Sequence, residues 1–310
     1  MLVVVPDFSV RVVSLVTAEV HYTGNTHNTG TKTRLRISNG GAGQAGLIKA
    51  LAGAFIDWSR DHGGVDEDYV IDWVVGDTTE SIKYLATGDA DIAITYNAAA
   101  ETRATDLKIA TRKEWIFRDH FYIVGPKLEG NPAGLDDSDA VLAMLNKIVT
   151  AGDADSQDAP TRFLSRFDKS ATNIRESLLF AEIGQIPWAH TYSKWYHQFP
   201  SYPLTALETA SKLQEYTLTD RGTFLTLEST NRELTDNLHI YKAGKDEDPA
   251  DPLLNLATVL LGARVCKADA ELANNFVDWA IRPDGGQDVI KNFRKEGSDE
   301  YLYTGAPPKQ

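Results

Sequence analysis

Residues Phe163–Phe180 read FLSRFDKSATNIRESLLF, and this stretch decides the fold. It predicts a short strand over Arg162–Leu164, a polar turn, and then a helix. The turn gathers Arg166, Asp168, Lys169, Ser170, Thr172 and Asn173 ahead of Ile174, Leu178 and Leu179, whose spacing is helical. Ser170 or Asn173 can cap that helix, and Asn173 with Glu176 three residues on approximates a capping box. A helix start carries free N–H groups and a partial positive charge, so hydroxyls and an arginine beside it suit a small anion. An ordinary capped helix under a solvated loop is the plainer reading of the same residues.

Working outward, the pattern repeats. Arg34–Ile37 is a strand that runs into SNGGAGQAG and a helix over Leu47–Arg60, with Leu47, Ile48, Leu51, Phe55 and Trp58 on one face. Tyr69–Val75 is a strand with Asp72 inside it. GDTTES then opens a helix, and Ile92–Thr95 is the next strand. A β-α-β-α-β series implies a largely parallel sheet. Further on, His120–Gly125 reads as a strand and Leu135–Ala151 as a helix with acidic residues in its first turn. Gln185–Tyr202 reads as irregular with a short helix, and Leu204–Lys212 as a helix. Tyr216–Leu218, Leu238–Lys242 and Ala257–Ala263 are strands, and helices over Ala268–Ile281 and Gly286–Phe293 close the fold. Leu2–Val20 is a candidate edge-strand pair, and the tail GAPPKQ is not expected to order by itself.

The chain has 310 residues, enough for two domains or one large one, and 42% of them are hydrophobic. Its formal charge is −13, and it has no Lys/Arg run, which disfavours nucleic acid and anionic membrane surfaces as partners. The single cysteine, Cys266, excludes an intramolecular disulfide and a Cys-rich metal site, and reads as a small buried hydrophobe. The seven histidines lack ligand spacing, so no metal site is expected. No apolar run is long enough to span a membrane, and the N-terminus is poorly matched to a secretory signal.

Three junctions share one design of strand, small or hydroxyl-rich turn, and helix start: Ser38–Gln44, Gly76–Ser81 and Ser165–Asn173. Such junctions lie at the carboxyl ends of strands, where open α/β sheets bind ligands. Gly41–Gly46 is also a literal G-x-G-x-x-G between a strand and a helix, which keeps a nucleotide-dependent enzyme among the readings. Its acidic partner would be Asp77, later than the usual ~20 residues. No nucleophile elbow, P-loop or Cys/His pair is present, so no enzyme is expected. Trp188, Tyr192, Trp195, Tyr196 and Tyr202 form an aromatic cluster best read as packing.

Several segments resemble the tungstate-binding protein family, the substrate-binding component of tungstate ABC importers. FLSRFDKSATNIRESLLF resembles its SR-x-D-x-SGT-x-x-x-E segment, and EYTLTDRGTFL its Y-T-L-x-DRGT segment. DHFYIVGP, GDADIAITYNAAAE and FVDWAIRPDGGQDVIKNF match three more in order, so Arg34–Phe293 is covered. The resemblance implies an α/β, two-lobed type II periplasmic-binding-protein fold. Each lobe would be a mostly parallel sheet flanked by helices, with a hinge and an inter-lobe cleft. It places an N-terminal extension at 1–32, lobe one at 33–117 plus 258–310, and lobe two at 118–257. The implied ligand is a small tetrahedral oxyanion such as tungstate or molybdate. It would be held without a cofactor by helix N-termini, hydroxyls and one arginine. The implied partner is an ABC permease, the implied location is periplasmic or extracellular, and a monomer is expected.

Carried over residue by residue, Arg166, Ser170 and Thr172 keep the second-lobe anion motif, with Ala171 where the family has glycine. In the first lobe Ser38, Asn39 and Gly40 stand in the family's Thr/Ser-rich turn, and Gly76-Asp77-Thr78 in its GTG turn. Thr78 keeps a hydroxyl, whereas Asp77 brings a negative charge. If Asp77 faced the anion, the repulsion would cost about 4 kcal/mol at 4 Å and an effective dielectric of 20; capping the next helix, it would not. Arg118 reads as a hinge salt-bridge residue and Arg221 as structural, with Asp220 capping the next helix. The remaining reading keeps the fold but gives it a different small ligand or makes it an interaction module.

Overall fold

The computed structural model describes residues 16–25, 29–62, 65, 67–154, 156, 160–190, 192–295 and 300–308. Most of the candidate strand pair Leu2–Val20 therefore lies outside the described residues. The chain divides into two units: unit 1 is Met1–Phe117, Leu256–Phe293 and Thr304–Gln310, and unit 2 is Arg118–Asn255 and Arg294–Tyr303.

The first elements are β1 (Val20–Tyr22), β2 (Thr33–Asn39), α1 (Gly41–Ala45), α2 (Leu47–His62), β3 (Val70–Val75), α3 (Thr78–Thr87), β4 (Ile92–Thr95) and α4 (Ala98–Asp106). Then come β5 (Ala110–Pro126), α5 (Val141–Ala154), β6 (Phe163–Ser165), α6 (Ala171–Glu182), β7 (Tyr196–Gln198), α7 (Pro203–Leu213) and β8 (Tyr216–Asp220). The last are α8 (Arg221–Thr230), α9 (Arg232–Asp236), β9 (Leu238–Ala243), β10 (Leu254–Gly262), α10 (Ala270–Ile281), α11 (Gly286–Asn292) and β11 (Thr304–Gly305).

In unit 1 the sheet runs β1-β3-β2-β4-β10. β2 pairs parallel with both β3 and β4, and the antiparallel strands β1 and β10 flank that parallel centre. β3 is buried along most of its length and reads as an apolar run broken only by Asp72, whereas β2 (TRLRISN) is buried with only Leu35 and Ile37 apolar, its polar residues being hydrogen-bonded inside the unit. Asp72 is tolerated inside β3 because its carboxylate is fully engaged. His21 Nδ1 lies 2.6 Å from Oδ1, Thr33 Oγ1 donates at 3.1 Å, and Arg36 Nε stands 3.7 Å from Oδ2.

Unit 2 repeats the scheme. β6 pairs parallel with β7 and β8, and β8 pairs antiparallel with β5, which in turn pairs antiparallel with β9. Its core is aromatic: Phe163 and Phe180 meet edge-on at 5.1 Å, and Phe180 packs against Trp195 and Tyr196. The aromatic cluster therefore splits, since Trp195 and Tyr196 are core residues while Tyr192 and Tyr202 are exposed. Cys266 is buried.

Several expectations are corrected. The helix predicted from Leu135 begins at Val141, because Asp136 and Asp139 turn their carboxylates onto local groups and hold a turn instead. Leu178 faces solvent; Leu179 and Phe180 carry the apolar face of α6. Residues Tyr196–Gln198, read as irregular, form β7, and the short helix expected nearby is a single 3-10 turn at Pro187–Ala189. The tail is partly ordered: β11 pairs with β5, and Ala306 N donates to Gln287 Oε1 at 2.9 Å.

Candidate functional site

The turn between β6 and α6 is built as its residues suggest. Ser170, in extended backbone, caps α6 by accepting from Asn173 N at 3.3 Å. A twelve-residue helix thus begins at Ala171, and the amides of Ala171 and Thr172 donate to no acceptor among the described residues. Thr172 is buried and Ala171 half-buried. The loop reaches this tip through two left-handed non-glycine residues, Phe167 at φ 43° and Lys169 at φ 65°. Such backbone costs on the order of 1–3 kcal/mol per residue and persists only where the surroundings over-determine it.

Those surroundings are a connected polar network. Arg166, with its side chain 6% exposed, donates from Nε to Ser201 O at 2.9 Å and from Nη2 to Asp168 Oδ2. Asp168 also accepts from Ser170 N through Oδ1 at 3.0 Å. Asn173 accepts from Lys169 N and donates from Nδ2 to Glu176 Oε1 at 2.7 Å. Ser165 Oγ donates to the same Glu176 oxygen and accepts from Tyr196 OH at 2.8 Å and Phe167 N at 3.2 Å. Glu176 is buried, and its Oε2 has no hydrogen-bond partner among the described residues. Burial pushes its carboxyl up to about 7, against the bonds from Ser165 and Asn173, the backbone amide of Arg166 and the charge of its guanidinium, which pull the other way.

In unit 1 the first-lobe residues are placed differently. Ser38 is fully buried, 2.8 Å from Ser81 Oγ. Asn39 donates to Ile94 O at 2.8 Å and accepts from Gly43 N at 2.7 Å. Both side chains are spent inside the unit, and Gly40 follows them, half-buried, ahead of the five-residue α1. Thr78 opens the ten-residue α3, buried, with neither its amide nor its hydroxyl bonded among the described residues. Asp77 caps α3 in a full capping box: its Oδ1 accepts from Glu80 N at 2.8 Å, and Glu80 Oε2 accepts from Asp77 N at 3.1 Å. Ser38, Asn39, Gly40 and Thr78 lie in unit 1, while Arg166, Ser170, Ala171 and Thr172 lie together at one helix tip in unit 2.

The glycine loop has a packing role. Gly41–Ala45 is itself helical, and a Cβ on Gly43 would stand 2.3 Å from the Trp73 ring. Gly46, at φ 97°, closes that helix in left-handed backbone. These constraints account for two of the three glycines of the fingerprint without a phosphate. Of the arginines read as structural, Arg118 stands 3.4 Å from Asp246 and Arg221 3.4 Å from Glu300. Asp220 caps α8. Among the described residues no group of three His, Cys, Asp or Glu side chains could hold a metal ion.

Sequence reading missed the roles of Asp168 and Glu176. Asp168 two residues after Arg166 was a visible signal, since a tight turn brings such a pair together. Glu176 was visible only as a capping-box partner; its burial follows from its place one turn below the tip, on the face that also carries Thr172.

The profile of the PBP superfamily domain matches residues 25–284. The chain belongs to the periplasmic-binding-protein (PBP) superfamily. A crystal structure provisionally described as a periplasmic metal-binding protein is 43% identical, covering 94% of this chain and 100% of its own, with a TM-score of 0.84. The tungstate-binding protein TupA from Desulfovibrio alaskensis G20 is 27% identical, covering 88% of this chain and 99% of its own, with a TM-score of 0.69. An ABC transporter anion-binding protein of Haloferax volcanii, also provisionally named, is 26% identical over 73% of this chain and 60% of its own length. The chain thus spans 60% of that curated relative. The type II PBP fold expected from the sequence is the fold of this superfamily member, and none of these relatives is named as an enzyme.

Proposed function

We propose that this PBP superfamily member is the solute-binding component of an ABC importer and captures a small tetrahedral oxyanion of the tungstate and molybdate class. The observation that carries the reading is the α6 tip. The amides of Ala171 and Thr172, without a partner among the described residues, follow a neutral Ser170 cap beside the buried guanidinium of Arg166. Helix-tip amides and a nearby guanidinium are matched to a tetrahedral dianion, and charge-assisted hydrogen bonds contribute about 1.5–3 kcal/mol each. The tungstate-binding and anion-binding names of the relatives support the same ligand class. Ser38, Asn39, Gly40 and Thr78 are the proposed unit 1 donors; for Ser38 and Asn39 the contribution is through backbone amides, because their side chains are committed.

Calorimetry with tungstate, molybdate, sulfate and phosphate tests this. Tungstate or molybdate is expected to bind, with the affinity lost in Arg166→Ala and weakened in Thr172→Val. Silence for all four anions in a folded protein overturns the proposal.

A second reading keeps the fold and changes the ligand. It is favoured by Asp168, which already neutralises Arg166, so the buried guanidinium brings no net charge of its own to the tip. Binding of an uncharged or zwitterionic solute, with no response to any oxyanion, would select it.

A further inference from the structure

The network beneath the α6 tip ends on a carboxyl group that the anion reading does not use. We propose that Glu176 is a positioning residue that couples anion capture to uptake of one proton. The inference rests on the oxyanion reading above and deepens it.

The geometry carries the argument. Glu176 is 1% exposed, and Oε1 is saturated by Ser165 Oγ and Asn173 Nδ2. Oε2, with no partner among the described residues, is the oxygen left for a proton. Both donors to Oε1 belong to the seat: Asn173 also binds the Ser170 cap and Lys169 N, and Ser165 also holds Phe167 N. The carboxyl thus fixes the strained loop that carries Arg166. Glu176 lies four residues beyond Thr172, roughly 6 Å along the helix axis, so a dianion at the tip is within strong electrostatic reach.

The groups facing Glu176 are few. Arg166 faces it from the loop and Tyr196 from β7, and Asp168 is tied to that same guanidinium. From α5, which packs on α6, the core receives Met144, Leu145 and Ile148. From β8, Tyr216 sends its hydroxyl to Asn131 instead. Among the described residues Arg166 is the cation that acts on the Glu176 carboxyl, and Asp168 already occupies it. An ionised Glu176 and a bound dianion would therefore share one neutralised cation. The protonated carboxyl keeps Oε1 as acceptor for both seat donors and removes the repulsion. A carboxyl poised near neutrality by burial is placed to make that exchange.

The experiment is the dissociation constant of tungstate between pH 7 and 9.5 for the wild-type chain and Glu176→Gln. Proton uptake is measured in parallel by calorimetry in two buffers of different ionisation enthalpy. The wild type is expected to weaken about five- to twentyfold across this range and to take up a proton on binding, because the bound anion holds Glu176 protonated to higher pH. Glu176→Gln, which keeps the shape and the Oε1 acceptor, is expected to bind with less than twofold change and no uptake. A wild-type constant that is flat with pH, or a glutamine variant that keeps the slope, overturns the coupling while leaving anion binding intact. Absence of binding to any oxyanion at any pH overturns both readings. If Glu176→Gln does not fold, wild-type proton uptake alone decides, with zero uptake refuting the inference.

Discussion

Replacing Glu176 by glutamine should stabilise the protein in a strongly pH-dependent way even without ligand. The carboxyl is fully buried, and burial raises it from 4.5 to about 7. A carboxyl whose pKa stands higher in the folded than in the unfolded state binds its proton preferentially when folded. Its contribution is complete below pH 4.5 and is lost as the pH rises to about 7. At about 1.36 kcal/mol for each pH unit of difference, the full loss is on the order of 3 kcal/mol. Part of it has already gone by pH 5, so about 2.5 kcal/mol remains to be lost between pH 5 and pH 8. Glutamine keeps the size and the Oε1 acceptor and does not titrate, so the gap between variant and wild type should widen by that amount. All other titrating groups cancel in the difference. Because the chain has two units, the proper readout is the midpoint of the transition that carries unit 2. A change of about 2.5 kcal/mol corresponds there to roughly 5–10 °C. Thermal melts of both proteins at pH 5, 6, 7 and 8 supply the series. A gap that stays constant within about 1 °C would show that Glu176 titrates normally, and the argument from its burial would fail.

Two further perturbations probe unit 1. Gly43→Ala places a Cβ 2.3 Å from the Trp73 ring, and overpacking of this kind should cost about 1–3 kcal/mol in urea unfolding; a neutral result would remove the packing role assigned to the glycine loop. Asp77→Ala removes the side-chain half of the α3 capping box, leaving the backbone amide of residue 77 still able to donate to Glu80 Oε2, and should cost about 1 kcal/mol in a thermal melt, whereas Asp77→Asn, which keeps an oxygen acceptor, should recover most of it.

How much of this was legible in the sequence depended on whether a segment's polar residues act locally or at a distance. β3 and β4 were legible as short, mostly apolar runs, and β2 by the alternation of Leu35 and Ile37 with polar residues ahead of a glycine-rich turn. α6 was legible because its cap and its apolar spacing agree. α4 was not, since Ala98–Asp106 buries only Glu101 and Ala104 and has no apolar stripe; its one signal was the Asn97 cap, which accepts from Ala100 N. The first half of β5 was hidden for a related reason, as Thr111–Trp115 are exposed or half-buried and lack a continuous apolar run. At the site, the residues of the α6 tip could be named from sequence, but their electrostatic state could not. That Arg166 is neutralised by Asp168, and that Glu176 is buried beneath both, depends on how the strained loop folds back over the helix start.

The two helix tips also differ in sign. Each helix N-terminus carries roughly half a positive charge. At α3 the cap is Asp77, whose full negative charge more than cancels that dipole, although its oxygen is turned onto Glu80 N and away from any ligand role. At α6 the cap is Ser170, which satisfies an amide without adding charge, so the dipole survives. The Arg166–Asp168 pair contributes no net charge at the same tip, and Glu176 contributes none while protonated. Beyond Lys169 of the same turn, the positive field at α6 thus comes from backbone amides, in a chain whose overall charge is −13. On the proposed oxyanion reading, the amides of Ala171 and Thr172 would meet the anion at a tip whose dipole survives, whereas the α3 tip offers little field of its own. That surviving dipole is what would let an acidic protein seat negative charge on the proposed reading. Under the same reading a single proton on Glu176, buried one turn below the tip, would have strong leverage over that seat.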